Sequence, residues 1–295
     1  MKIAVLVTVF NRIEKTLLCL KSLFAADRER VDIDFKIFIT DDGSTDGTAE
    51  KIKETFPLEN IEILQGNGQL YWNGGMNNSW RAAIAEAGFD GYLWLNNDSI
   101  ILPNLWIELV AADIYAKQKF GKGGIYIGST YNKDKTGLSY GGFNFVSKWT
   151  LKDEFMIPDG TFQNCQAAHG NITYVSDDVV KKEGVFCDEY IHSGGDHDYS
   201  YLAYKHGFPV FILREYVGIC ENDHPEKEGS DFKNLSLKNR FKYMNSPLGY
   251  NLHNTLLFQR RCFPYRYLPV LVSGYARALF PNLYYLVYKQ VRKKY

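Results

Sequence analysis

The stretch Tyr92-Leu93-Trp94-Leu95-Asn96-Asn97-Asp98 decides how the chain is read. Four apolar residues run without a polar break, and three polar residues stop them. A short unbroken apolar run reads as a strand buried on both faces, as in a parallel sheet covered by helices. The Asn-Asn-Asp that ends it sets two amides and a carboxylate at a strand's C-terminal edge, where open α/β sheets bind ligands. Taken alone, the same pattern also fits a polar turn closing a core strand. Pro103, shortly after, is pre-set for the first turn of a helix, which the spacing predicts over residues 105–119.

Upstream, three more strand and helix pairs precede this stretch. Residues 3–7 read as a buried strand ending in Thr8-Val9-Phe10-Asn11-Arg12, and Leu17, Leu18, Leu20, Leu23 and Phe24 mark an apolar stripe on a helix over 14–26. A second strand over 35–39 ends in Thr40-Asp41-Asp42-Gly43-Ser44-Thr45-Asp46-Gly47-Thr48, before a helix over 49–56. A third strand over 61–64 opens a Gly/Asn-rich loop running to Asn77, and a helix follows over 79–87. This alternation implies right-handed crossovers and a mostly parallel central sheet with flanking helices.

The double carboxylate Asp41-Asp42 is more acid than a turn needs, since Asp46 or Thr48 already suits the cap of the next helix. A carboxylate there can accept the N3–H of a uracil or thymine ring, or hydrogen-bond ribose hydroxyls. No Gly-x-Gly-x-x-Gly follows the first strand and no Gly-x-x-x-x-Gly-Lys-Ser/Thr occurs, which disfavours dinucleotide and P-loop sites.

Downstream, residues 121–145 read as short strands or hairpins beside a cleft, and 147–165 as an irregular acceptor-side segment. A helix is expected over 177–181, and a strand over 208–213 whose Pro209 suggests an edge or a strand start. Between them, Gly194-Gly195-Asp196-His197-Asp198 opens another helix. Acids favour a helix N-terminus, but this cluster is dense and its glycines allow close backbone approach.

Four of these segments, 8–12, 41–48, the Gly/Asn loop and Asn96-Asn97-Asp98, together with the block near 196, resemble family 2 glycosyltransferases of the GT-A fold. Gly66-Asn67-Gly68 with Asn73-Gly74-Gly75-Met76-Asn77 looks like the corresponding loop of the rhamnosyltransferase-like branch. The resemblance implies a GT-A catalytic domain over 1–225 and an inverting transfer from a nucleoside diphosphate sugar. The donor would be dTDP-rhamnose-like or a UDP-hexose. The acceptor would be a hydroxyl of a glycan or lipid-linked molecule in surface polysaccharide synthesis. By the same resemblance Asp42 meets the base, Asn97 the ribose and Asp98 a divalent metal, Mg2+ or Mn2+. Thr8, Phe10, Asn11, Arg12, Asp41, Asn67, Gly68, Asn73, Gly74 and Asn77 join the donor set. Asp196 matches the catalytic base, and His224 is a second candidate at the metal. His169, Gly195, His197 and Asp198 are candidates on the acceptor side. Two departures stand out: Asn96-Asn97-Asp98 offers one carboxylate, and Gly195 replaces the usual Glu. They leave open a nucleotide-sugar-binding protein without turnover. A sugar nucleotidyltransferase is a third reading, against which the 8–12 loop lacks the usual Gly-rich basic character.

Bulk properties are ordinary for a folded soluble protein. Apolar residues make up 45% and charged residues 23%, and the net charge of +0 argues against a dedicated nucleic-acid partner. Five scattered cysteines, without Cys-x-x-Cys spacing, suggest reduced thiols in the cytoplasm. No signal-peptide pattern or transmembrane run is read. Residues 226–295 turn polar and then interleave aromatic and basic residues, suggesting a helical appendage, helical at least over 248–260. Such a composition also suits a peripheral contact with the inner face of a membrane, with Arg266 and Arg277 breaking the apolar run.

Overall fold

The structure, a computed structural model, describes residues 1–26, 31–221 and 230–294. Its first half alternates β1 (Lys2–Val9), α1 (Ile13–Ala25), β2 (Asp34–Asp41), α2 (Thr48–Thr55), β3 (Ile61–Gln65), α3 (Tyr71–Glu86) and β4 (Gly91–Leu95). These four strands are parallel neighbours in the order β3-β2-β1-β4. Val9 pairs with Asp41 and Asp41 with Gln65, so three strands end level and release their loops from one edge. Every residue of β4 is buried, as its unbroken apolar run requires.

The second half adds β5 (Ile100–Ile101), α4 (Leu105–Phe120), β6 (Ile125–Tyr131), β7 (Leu138–Tyr140), β8 (Gly142–Ser147), β9 (Lys152–Phe155), β10 (Gln163–Asn164), β11 (Ala167–Ala168) and β12 (Ile172–Ser176). Then come α5 (Asp177–Glu183), α6 (Gly195–Lys205) and β13 (Val210–Ile219). β12 enters antiparallel between β4 and β6, and β13 runs parallel to β6. β11, β8 and β9 form a separate three-stranded sheet.

Two expectations are refined here. Residues 121–145 form strands as read, but β6 is an interior strand of the main sheet with six buried residues. Its Gly128 is required by close approach: a Cβ would lie 2.6 Å from a Val217 methyl and 2.9 Å from one of Ile172. The stretch over 147–165 likewise contains β9 and β10. Second, α3 starts at Tyr71 and takes in most of what reads as a Gly/Asn loop. Glycine weakens a helix in isolation, but Gly75 lets α3 lie directly on β1. A Cβ there would sit 2.1 Å from Thr8 Oγ1.

Alternation along β1 sends Ile3, Val5 and Val7 to one core and Ala4 and Leu6 to the other. The second core is aromatic. Trp94 of β4 stands 5.5 Å from Trp80 of α3, 4.6 Å from Phe186 and 5.5 Å from Tyr199 of α6, centroid to centroid. Such pairs add about 0.5–1.5 kcal/mol each beyond area burial. They join the central strand to both helices that carry site residues.

The chain divides into two compact units, Met1–Ile191 with Gly195–Asn222, and His192–Gly194 with Asp223–Tyr295. The second comprises α7 (Ser230–Asn234), α8 (Leu237–Asn245), α9 (Leu252–Cys262), α10 (Tyr267–Leu279) and α11 (Pro281–Lys294). Side chains of Ser236 and Asn251 cap α8 and α9 by accepting the backbone N–H of Asn239 and Asn254. Met244, Leu252 and Ala278 form its core. Arg277, expected to interrupt a surface run, is instead interior at 5% exposure. Its guanidinium lies 4.6 Å from the Tyr250 ring and 4.9 Å from that of Phe232, and its Nε donates to Tyr285 Oη at 3.1 Å. Three aromatic faces and a phenolic oxygen offset the loss of hydration. Among the described residues no helix is long and apolar enough to cross a membrane.

Candidate active site

The loops leaving β1, β2 and β3 are stitched together by side chains reaching backbone. Asn11, held at φ 50°, accepts from Thr45 N at 2.8 Å, while its own N–H donates to Ser44 Oγ at 3.0 Å. Asp41 is buried and accepts from Ser44 N at 2.8 Å. Asp46 accepts from Ile13 N at 3.2 Å and from Thr48 N at 3.1 Å, steadying the starts of α1 and α2 together. Asp42 works across a longer distance in sequence. Its two oxygens accept from Gly68 N at 2.8 Å and Tyr71 N at 2.9 Å. One carboxylate thereby fixes the Gly66-Asn67-Gly68 loop and anchors the start of α3. Gly66 must be glycine, because a Cβ there would reach Asp42 Oδ1 at 2.5 Å. Asn67 is exposed and closes a local turn on Gln69 N. Phe10 stands 53% exposed beyond the end of β1.

Trp72 is where the other predicted residues meet. Its Nε1–H donates to Asn96 Oδ1 at 2.7 Å, tying the first turn of α3 to the Asn-Asn-Asp turn. On another side a Cβ at Gly170 would meet the Trp72 ring at 2.7 Å and Asp196 Cβ at 3.4 Å, so that glycine separates indole from carboxylate. Gly170 N–H donates to Asp196 Oδ2 at 2.9 Å. Segments that bear the three aspartates thus adjoin Trp72. Asp42 holds Tyr71, its neighbour; Asn96 precedes Asp98 by two residues; Gly170 bonds Asp196. Sequence reasoning places Asn96 in the Asn-Asn-Asp turn without giving it a role of its own, and gives Gly170 none. A glycine ahead of a strand carries no signal of which two side chains it must clear.

Asp98 pairs with Arg12, Nη1 to Oδ2 at 2.8 Å, and Cys220 Sγ lies 3.7 Å from its other oxygen. Asn97 is buried and donates to Thr16 Oγ1 at 2.9 Å, which fastens the turn to α1. Among the described residues, no group of three or more His, Cys, Asp or Glu could hold a metal ion. A hard divalent cation needs only one or two protein carboxylates when phosphate oxygens complete its shell, and Asp98 fits that donor set. His224 lies outside the described residues.

Beside Asp196, the rings of Tyr140, Phe143 and Phe155 surround His169, whose Nδ1 faces Gly141 O at 3.1 Å. A carbonyl partner makes Nδ1 the protonated nitrogen. His197 stands edge-on to His169 at 4.8 Å. Burial, reinforced by His197, pushes the His169 pKa down to about 4 from its ordinary 6.5. The folded protein therefore holds this imidazole neutral where the unfolded chain protonates it. His169 should make stability fall as pH drops through 6.5 towards 4, and level off below that. Urea unfolding of His169→Gln should give a flatter stability profile across that window than the parent; an identical slope would contradict the assignment.

Several polar residues expected to line the site are struts instead. Asn73 and Asn77 are buried on α3; their amides donate to Cys187 O at 3.2 Å and Phe186 O at 3.0 Å, holding the segment before α6. Asp198 is buried and accepts from Tyr190 Oη at 3.2 Å. Gly74 sits in the first turns of α3, against Leu70. Gly195 is explained by Asn73: a Cβ there would fall 2.0 Å from Asn73 Oδ1. Gly195→Ala should therefore cost about 1–3 kcal/mol by overpacking. Adding Asn73→Ala should return part of that loss. Chemical denaturation of the two single variants and the double variant measures the coupling, and strict additivity would rule out the collision.

The mixed α/β sheet with its flanking helices defines a class, the GT-A fold. The sequence model described as glycosyl transferase family 2 matches residues 4–183, and the chain belongs to that family. It is 27% identical over 281 residues to abequosyltransferase RfbV of Salmonella typhimurium, covering 85% of this chain and 78% of that protein. Among solved structures, S. aureus TarS 1-349 superposes with a TM-score of 0.56 at 15% identity, covering 95% of this chain and 81% of that one. Mannosyltransferase PcManGT from Pyrobaculum calidifontis, in complex with GDP-Man and Mn2+, gives 0.52 at 14% identity, over 99% and 80% of the two chains. At such identities the structural likeness speaks for the fold.

Proposed function

We propose that the protein is an inverting glycosyltransferase that moves a sugar from a nucleoside diphosphate sugar to a hydroxyl of a glycan or lipid-linked acceptor. The assembly of a surface polysaccharide is the setting this reading suits. The observation that carries it is the junction at Trp72, which links the Asp42 loop, the Asn-Asn-Asp turn and Asp196. In the proposed reaction Asp196 takes the proton of the acceptor hydroxyl. That oxygen forms a bond to the anomeric carbon as the bond from that carbon to the diphosphate oxygen breaks. The electron pair leaves with the nucleoside diphosphate.

Asp42 and the 8–12 loop would hold the nucleoside, with the exposed Phe10 ring available to the base. Asn97 would set the turn beside the ribose, and Arg12 and Asp98 would flank the diphosphate. A bound Mg2+ or Mn2+ would supply neutralisation of charge on the leaving group. His169 and His197, beside Asp196, would face the acceptor. The Gly/Asn loop favours a dTDP-rhamnose-like donor. TarS is described in complex with UDP and PcManGT with GDP-Man, so UDP-hexoses belong in the trial.

The test is a thermal-shift panel of dTDP-, UDP- and GDP-sugars with and without Mn2+. A donor at about a hundred times its Kd stabilises by about 2.7 kcal/mol, and one member should raise the melting temperature, more so with the metal. Mixing that donor with acceptor should release nucleoside diphosphate. A panel with no shift and no release would defeat the proposal.

A further inference from the structure

We propose that the helical C-terminal unit docks on an anionic lipid surface through an exposed apolar stripe on α10 and α11. On α10, Leu268, Val272, Tyr275 and Leu279 are 45% to 67% exposed. Steps of four, three and four residues keep them within about 60° of one helix face. Phe280 at the junction and Leu283 of α11 are also exposed, at 62% and 61%. The interior of the same unit is made by other residues, among them Met244, Leu252 and Ala278. Tyr275 leans on Phe241 at the edge of that core, and the other five side chains are left over after the unit has built its interior.

Charge identifies the occupant. From Phe232 to the C-terminus the chain has twelve Lys and Arg and not one Asp or Glu, whereas the preceding residues hold all 34 acids against 22 bases. The overall neutrality conceals this division. Arg277 serves the interior, and Arg240 bonds the carbonyls of Leu235 and Ala278, while Arg260 and Arg261 end α9 in exposed positions. Two copies meeting through such a unit would bring like charges together. An anionic leaflet offers the opposite sign and attracts basic residues near its surface. Apolar side chains on the same helices supply insertion into the headgroup boundary. None of the described helices can span, so the unit lies on the surface.

The test is flotation of the full chain with vesicles of equal parts phosphatidylcholine and phosphatidylglycerol, without donor or acceptor. The protein should float with these and stay behind with phosphatidylcholine alone. The double variant Val272→Asp, Leu283→Asp should lose vesicle affinity by about tenfold or more, with an unchanged thermal unfolding curve because both sites are exposed. A wild-type chain that ignores the mixed vesicles overturns the proposal, as does flotation indifferent to the double variant. A dimer by light scattering that the variant splits, with no flotation, assigns the face to a second copy and overturns it too. No sugar chemistry enters this assay, so a failed transfer reaction leaves its result standing.

Discussion

Asp196→Asn is expected to lower turnover by about 10²–10⁴-fold, the range attributed to a general base, while leaving donor affinity unchanged. The substitution keeps shape: an amide oxygen can still accept from Gly170 N–H, so the start of α6 and the gap beside Trp72 persist. What disappears is the charged oxygen that takes the acceptor's proton. Turnover by nucleoside diphosphate release, with donor binding by titration, separates the two effects. Wild-type turnover in the variant would remove Asp196 from the chemistry. Weakened donor binding alone would reassign it to the donor side.

The other large effect belongs to Asp42→Ala, and it should appear in stability and in nucleotide binding together. The carboxylate is buried and holds two backbone donors, Gly68 N and Tyr71 N, on two successive segments. A buried donor left unsatisfied costs about 1–3 kcal/mol, and removing a side-chain anchor at a helix start costs about 0.5–2 kcal/mol. These overlap, so about 2–4 kcal/mol is expected in total. Asp42→Asn keeps one acceptor and should fall between. Urea unfolding with nucleoside diphosphate titration checks both. A change within about 0.5 kcal/mol, the scale of an ordinary surface substitution, would mean that the loop stands without Asp42.

The first four strands and their loops were legible because they rest on local signals: apolar runs, turn residues and the spacing between them. β12 was not, since its position between β4 and β6 depends on partners such as Tyr92 and Ile125, far away in sequence. The start of α3 was hidden because its glycines look like a loop until β1 is placed beside them. Family likeness picked out polar positions without separating those that face a ligand from those that brace the fold. Asn73, Asn77 and Asp198 have the same chemistry in either role, and only their partners at 186–190 tell which it is. Arg277 misled in the opposite way. A cation in an apolar helix suggests a wet face, and three aromatic residues from other parts of the chain turned it inward.

Gly170 and Gly195 bear on any effort to redirect the enzyme towards new sugars. Both stand where a single added carbon would strike a neighbouring side chain, Trp72 in one case and Asn73 in the other. Randomised libraries that include these codons will return many destabilised clones, and their failure would say nothing about specificity. Diversity is better spent at Phe10 and Gln69, whose side chains face water in the loops after β1 and β3.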